Sequence, residues 1–341
     1  PPPPPPPPPP RKRGGIVALA AVLAFVVVLG LGGGWLLWQS SGDGEGEGGD
    51  AAAAGDPATL NVLKKGRLTA EDVGTVDPTA LFYAGFRKMA TQPILHLTQE
   101  SYTEESEYRQ GEPGYVWESG FDYRTKEFRM VWGSADPEDP ITVCRDGASY
   151  DYSYRLRRWD GPDTGDYLCR LKSAYRYISD GISTGGMTEA QADRWIKALQ
   201  TEYNGFVNPR ELRLTEVKGK QYLRLVVDYT PVKRADDLYY GGQSLMWSFK
   251  KSGLDPQSHP YSYTGGMGTG FHAVYHLDPG SLLTAYSEVE VTPAVGKDGR
   301  PREDGDFYKV RVEYHHPGRL PAMKPEGSPA RPELTWPRDK A

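Results

Sequence analysis

The chain has 341 residues, with 45 acidic and 40 basic side chains, 40 glycines and 30 prolines. At roughly 100–200 residues per domain, this length allows one large or two small domains, and a hydrophobic content of 38% excludes a polytopic membrane protein. The first 60 residues hold three basic and five acidic side chains, so the remainder carries a net charge near −3, which gives no reason to propose a nucleic acid as partner.

Use of residue types is uneven along the chain. Pro1–Pro10 favours a stiff polyproline II strip, read as a low-complexity segment or, more sharply, as a docking strip for an aromatic groove. Arg11, Lys12 and Arg13 follow it. Ile16–Trp38 is a run of 23 residues without a charge, which as a helix spans about 34 Å, enough for the ~30 Å hydrocarbon core of a bilayer. Its basic N-terminal flank and acidic C-terminal flank put residues 1–15 in the cytoplasm and the rest outside the membrane. A cleaved signal peptide shares that order, but no small-residue cleavage site follows at the usual distance, so an uncleaved single-pass anchor in the cell membrane is expected. Residues 39–61 read as a flexible Gly/Asp/Glu linker, 62–316 as an extracytoplasmic folded domain, and 317–341, rich in proline, as a disordered tail.

Within the folded domain the patterns are clear. A helix is expected at Pro78–Ala90, capped by Asp77 with proline in its first turn. Strand-like runs follow at Pro93–Tyr102, Tyr115–Tyr123 and Glu127–Gly133. Ile141–Arg145 and Ser149–Arg157 flank Asp146-Gly147, a hairpin signal. A second helix is expected at Thr188–Tyr203, where Thr188 and Gln191 match a capping box, and a third at Gln243–Ser252. The remaining strands are Glu211–Val217, Tyr222–Tyr229, Gly270–Leu277, Leu282–Thr292 and Phe307–His315. Residues 61–75 read as a loose lead-in. The fold class is α+β, with antiparallel strands in hairpin order forming one curved sheet and helices interspersed.

Two cysteines, Cys144 and Cys169, are present. Outside a membrane an oxidised pair is expected, and a closed loop of about 25 residues contributes ~3 kcal/mol in the chain-entropy model. Two thiols alone make an incomplete zinc site.

Other motifs assign no chemistry. Gly181-Ile182-Ser183-Thr184-Gly185 fits G-x-S-x-G, but its serine does not sit where a strand ends and a helix begins. Gly265–Gly270 precedes a β pattern, not the helix that a dinucleotide site requires. His272 and His276 share a strand face about 13 Å apart, too far for one metal ion. No catalytic residue, metal or cofactor is implied. The tyrosines are the anomaly: Tyr150, Tyr152 and Tyr154 alternate along one strand, either as cross-strand packing or as the lining of a groove for an apolar ligand.

The order of elements, and the late segment His276–Val291 with its Asp-Pro-Gly-Ser-Leu turn, resembles the lipoprotein-carrier superfamily of LolA, LppX and RseB-like proteins. The resemblance covers about 78–316 and implies an open antiparallel half-barrel closed by helices, with an apolar cavity for acyl chains. It transfers no ligand residue. The alanine- and glycine-rich span also looks like that of an actinobacterial single-pass membrane protein. Together these readings suggest an anchored domain that binds a hydrophobic or lipidic ligand, or else a cell-envelope sensor or scaffold that binds a protein partner.

Overall fold

The structure, a computed structural model, describes residues 61–62, 65, 68–125, 127–134, 141–145, 148–164, 185–234, 236–251, 253, 268–302, 307–320 and 332–337. The proline strip, the expected membrane helix Ile16–Trp38, the linker 39–60, Cys169 and Ser183 lie outside these residues. Among the described residues, no helix is long and apolar enough to cross a membrane.

Three helices carry most of one layer. α1 (Ala70–Gly74) starts at Thr69, whose hydroxyl accepts the Asp72 N–H while the Asp72 carboxylate accepts the Thr69 N–H. It lies in the stretch expected as a loose lead-in. Its turn is too short for periodicity to reveal, but Leu68, Val73 and Val76 are buried and tie it down. α2 (Pro78–Ala90) has the predicted bounds: Asp77 accepts the Thr79 and Ala80 N–H groups, and proline occupies the first turn, where its missing donor costs nothing. α3 (Glu105–Gln110) has no buried residue, so no apolar stripe announces it. It ends at Gly111 with φ 74°, the left-handed turn that glycine accepts without strain. α4 (Glu189–Thr201) follows the reciprocal cap of Thr188 and Gln191, and α5 (Gln243–Lys251) completes the set.

The other layer is one open antiparallel sheet of eleven strands. In chain order these are β1 (Ile94–Tyr102), β2 (Tyr115–Asp122), β3 (Glu127–Ser134), β4 (Ile141–Arg145), β5 (Ala148–Ser153), β6 (Arg158–Asp163), β7 (Val207–Val217) and β8 (Lys220–Tyr229). A separate ribbon pairs β9 (Val232–Lys233) with β10 (Tyr239–Tyr240), and β11 (Phe271–Leu277), β12 (Thr284–Val291) and β13 (Lys309–Tyr314) return to the large sheet. The spatial order is β6-β5-β4-β3-β2-β1-β13-β12-β11-β8-β7, so the last strand, β13, slots in beside the first. The edge strands β6 and β7 do not pair with each other, so the sheet is not closed into a barrel. The β7–β8 turn holds only Lys218 and Gly219, both at positive φ (51° and 76°), the geometry that matches the twist of a two-residue hairpin. β6 was not foreseen: the expected strand through Arg157 breaks at 154–157, and the chain reverses there.

Strand alternation gives the sheet two unlike faces. Leu223, Leu225, Val227 and Tyr229 of β8 and Phe271, Ala273, Tyr275 and Leu277 of β11 point at the helices and form the main core. Into it α2 sends Phe82 and Phe86, α4 sends Trp195, and α5 sends Phe249. Trp195 packs edge-on to Phe86 at 4.4 Å and Phe249 at 5.2 Å, and its N–H donates to the buried Ser248 hydroxyl at 2.9 Å. Arg87 of α2 holds Asp193 of α4 at 2.6 Å, so the helices are also joined at their rim. Burying each such side chain stabilises the fold by about 1.5–3 kcal/mol.

Candidate functional site

The space between helices and sheet is the first place to look, because the resemblance implies an acyl-chain cavity there. Beneath α2, the described residues leave a crevice of about 10 Å³, lined by Phe82, Gly85, Phe86, Leu225, Tyr275, Leu277 and Thr284. That holds about one water molecule, whereas ligand pockets run to roughly 300–1,000 Å³. The reason is local: a Cβ on Gly85 would lie 2.5 Å from Leu277 Cδ2, so α2 seats directly on the sheet. The aromatic rings of both layers then occupy the gap, with the buried hydroxyls of Tyr229 and Tyr275 bonding to each other at 2.8 Å.

Farther along the same sheet face, Gln99 of β1 and Ser119 of β2 are fully buried. Neither the Gln99 amide nor the Ser119 hydroxyl has a hydrogen-bond partner among the described residues. Such groups cost about 1–3 kcal/mol each. Their place between Leu97, Phe121 and Val312 is set by register, which sequence alone cannot supply.

The opposite face carries a buried charge network. Arg311 of β13, only 3% exposed, donates to Glu100 at 3.0 Å and to the Tyr286 hydroxyl at 2.7 Å. Tyr102 donates to the same Glu100 oxygen at 2.6 Å. Lys309 bridges Glu288 at 2.9 Å and Glu290 at 3.2 Å, and lies 3.9 Å from the centre of the Tyr108 ring. Burial pushes the Tyr102 and Tyr286 hydroxyls well above the ordinary tyrosine range, with the neighbouring carboxylates adding to the effect. Burial alone would lower the pKa of Lys309, but Glu288 outweighs it and the ammonium is held charged.

Beside this network, His96 pairs with Glu118 at 2.6 Å and packs against the His315 ring at 4.7 Å. His315 in turn meets the Thr98 hydroxyl at 2.8 Å. Burial lowers the pKa of His315, and the neighbouring His96 adds to this; burial also lowers that of His316. Among the described residues, no group of three His, Cys, Asp or Glu side chains is placed to hold a metal ion.

The tail expected from Pro317 onward packs on the sheet at two places. Leu320 is buried over Gly120, where a Cβ would lie 2.7 Å from Leu320 Cδ2. Trp336 stacks flat on Tyr286, with ring centres 4.8 Å apart and planes 3° from parallel, and also meets His276 and Tyr222. His276 is on the solvent side by alternation with His272, yet it is only 5% exposed because Trp336 lies across it.

Two of the three tyrosines singled out in the sequence pack together. Tyr150 and Tyr152 lie on β5 and Tyr154 in the turn that follows. Tyr152 is buried, edge-on to Tyr154 at 5.1 Å and to Trp159 at 5.2 Å, over Ile141 and Val143. Trp159, on the unforeseen strand β6, completes the contacts of Tyr152. Cys144 is buried and is not a free thiol.

No family model matches the chain, and no curated protein matches it. Among solved structures it is similar to the lipoprotein LppX of Mycobacterium tuberculosis, at 8% identity over 70% of this chain and 94% of that one, with a TM-score of 0.33. It is also similar to the MucA/MucB complex of Pseudomonas aeruginosa, at 12% identity over 73% of this chain and 59% of that one, with a TM-score of 0.27. No residue role transfers at this distance.

Proposed function

We propose that this chain is a membrane-anchored, extracytoplasmic binding domain that engages a protein partner across the open face of its sheet, as a cell-envelope sensor or scaffold. One observation carries the choice of partner: the crevice beneath α2, among the described residues, holds only about 10 Å³, whereas the opposite face keeps partly exposed aromatic and charged groups at Tyr222, Glu288, Glu290 and His272. Anchoring rests on the uncharged run Ile16–Trp38 and its basic flank. The test is site-specific photo-crosslinking of the full chain in its native envelope. Crosslinks to a protein are expected from position 290 on the open face and not from position 197 on α4. The reverse pattern, or none at either position, would overturn the reading.

A second reading, a lipid or other hydrophobic ligand, has one observation in its favour. Gln99 and Ser119 present buried, unpartnered polar groups on the helix-facing side, next to apolar walls, as a polar-headed ligand would require. It needs α2 to lift from the sheet. Stoichiometric lipid in an organic extract of the purified protein, or saturable binding of a fluorescent fatty acid, would favour it.

A further inference from the structure

Strand register builds a site on the open face that none of the readings above uses. Arg224, His276, Tyr286 and Glu313 stand opposite one another in a single row across β8, β11, β12 and β13. Tyr222 lies two residues before Arg224 on the same face, so Tyr222, His276 and Tyr286 form an aromatic slot, with the Glu313 carboxylate at one end. Lys218, in the β7–β8 turn, stands at the rim.

The slot is occupied by residues 332–337, and the contacts are those of peptide recognition. Glu313 accepts hydrogen bonds from the Thr335 N–H and hydroxyl, both at 2.6 Å, and from the Trp336 N–H at 3.2 Å. Lys218 donates to the Thr335 carbonyl at 2.6 Å. The Trp336 ring fills the slot between Tyr286, Tyr222 and His276. Backbone donors, a backbone acceptor, one hydroxyl and one indole are thus all read by side chains of the sheet. Thr335 and Glu333 are exposed and Trp336 is only half-buried, so most of the segment lies at the surface, with Leu334 buried as its one anchor among the described residues. If it left, Glu313 and Lys218 would face water, where free charges cost little. An aromatic slot with a carboxylate at its end would then be open to another segment of the same chemistry.

We propose that the slot of Tyr222, His276 and Tyr286, with Glu313 and Lys218, is a peptide-binding site for an extended Thr-Trp segment of a protein partner. The chain's own residues 332–337 hold it in cis until such a segment displaces them. The proposal rests on the partner-binding reading above and narrows it to one site and one chemistry.

The test uses the full chain and a fluorescein-labelled peptide with the sequence Arg-Pro-Glu-Leu-Thr-Trp-Pro-Arg, followed by fluorescence anisotropy. Wild type, its slot filled, is expected to bind weakly. Trp336→Ala, and the milder Thr335→Ala, are expected to bind at least ten-fold more tightly, each with the thermal transition of a folded protein. Adding Glu313→Gln or Tyr286→Ala to Trp336→Ala should lose that gain, and a peptide with alanine at both the Thr and Trp positions should not bind. Equal binding by wild type and both tail variants would overturn the proposal, as would binding indifferent to Glu313 and Tyr286. Crosslinks from position 290 alongside failed peptide binding would sink this inference alone, whereas absence of both would sink the partner reading as well.

Discussion

Replacing Arg311 by methionine tests whether the polar face is held together by its buried charges. Arg311 is 3% exposed and Glu100 6%, so the pair is shielded from water and its 3.0 Å contact is poorly screened. Methionine fills similar volume but removes both the bond to Glu100 and the bond to Tyr286. Glu100 keeps the Tyr102 hydroxyl but loses the Arg311 guanidinium from its buried surroundings. Breaking one side of a buried pair costs about 3–5 kcal/mol. The retained Tyr102 bond argues for the low end, about 3 kcal/mol, or a fall in Tm of about 6–12 °C for a domain of this size. Equilibrium urea unfolding measures it directly, if m is unchanged. The double variant Glu100→Gln/Arg311→Met should recover much of the loss, since the buried carboxylate that Arg311 balanced is then neutral as well. A loss below about 1 kcal/mol for Arg311→Met, or strict additivity in the double variant, would refute the claim that these two charges depend on each other.

Gly85→Ala should destabilise the domain by about 1–3 kcal/mol in urea unfolding, because a methyl there meets Leu277 Cδ2 at 2.5 Å and the Leu282 carbonyl at 3.3 Å, so the Leu277 side chain or α2 has to shift within the packed core; no change would mean that the contact is not tight. Stability should fall as the pH drops below about 6.5: His315 and His316 have folded-state pKa values depressed by burial, so the unfolded chain binds more protons there and the stability present above that pH is lost. His315→Gln should flatten that decline in urea midpoints measured between pH 7 and 5, and an unaltered slope would assign it elsewhere. Peptide mapping without reductant should recover a Cys144–Cys169 crosslinked fragment that reduction separates; free thiols at both positions would end the expectation of a disulfide.

Much of the fold was legible because local rules sufficed. The Asp77 and Thr188 caps and the apolar stripes of α2 and α4 place both helices within a residue or two of the sequence reading, whereas β7 begins four residues before its expected start. Hairpin order implied an antiparallel sheet. α3 and β6 escaped because neither buries an apolar stripe: α3 has no buried residue and β6 is almost wholly exposed.

Hairpins and capped helices follow from local sequence, since short-range hydrogen bonds and side-chain periodicity decide these within a dozen residues. What each face holds follows from contacts between distant segments. Seating β13 beside β1 brings Arg311 to Glu100 across more than 200 residues of chain. Seating α2 at Gly85 narrows the space beneath that helix to a crevice of about 10 Å³. Laying Trp336 over Tyr286 turns a tail that composition marks as loose into the occupant of a built site. Each is a contact between distant segments, and its energy depends on register and approach distance, quantities that no local window of sequence contains.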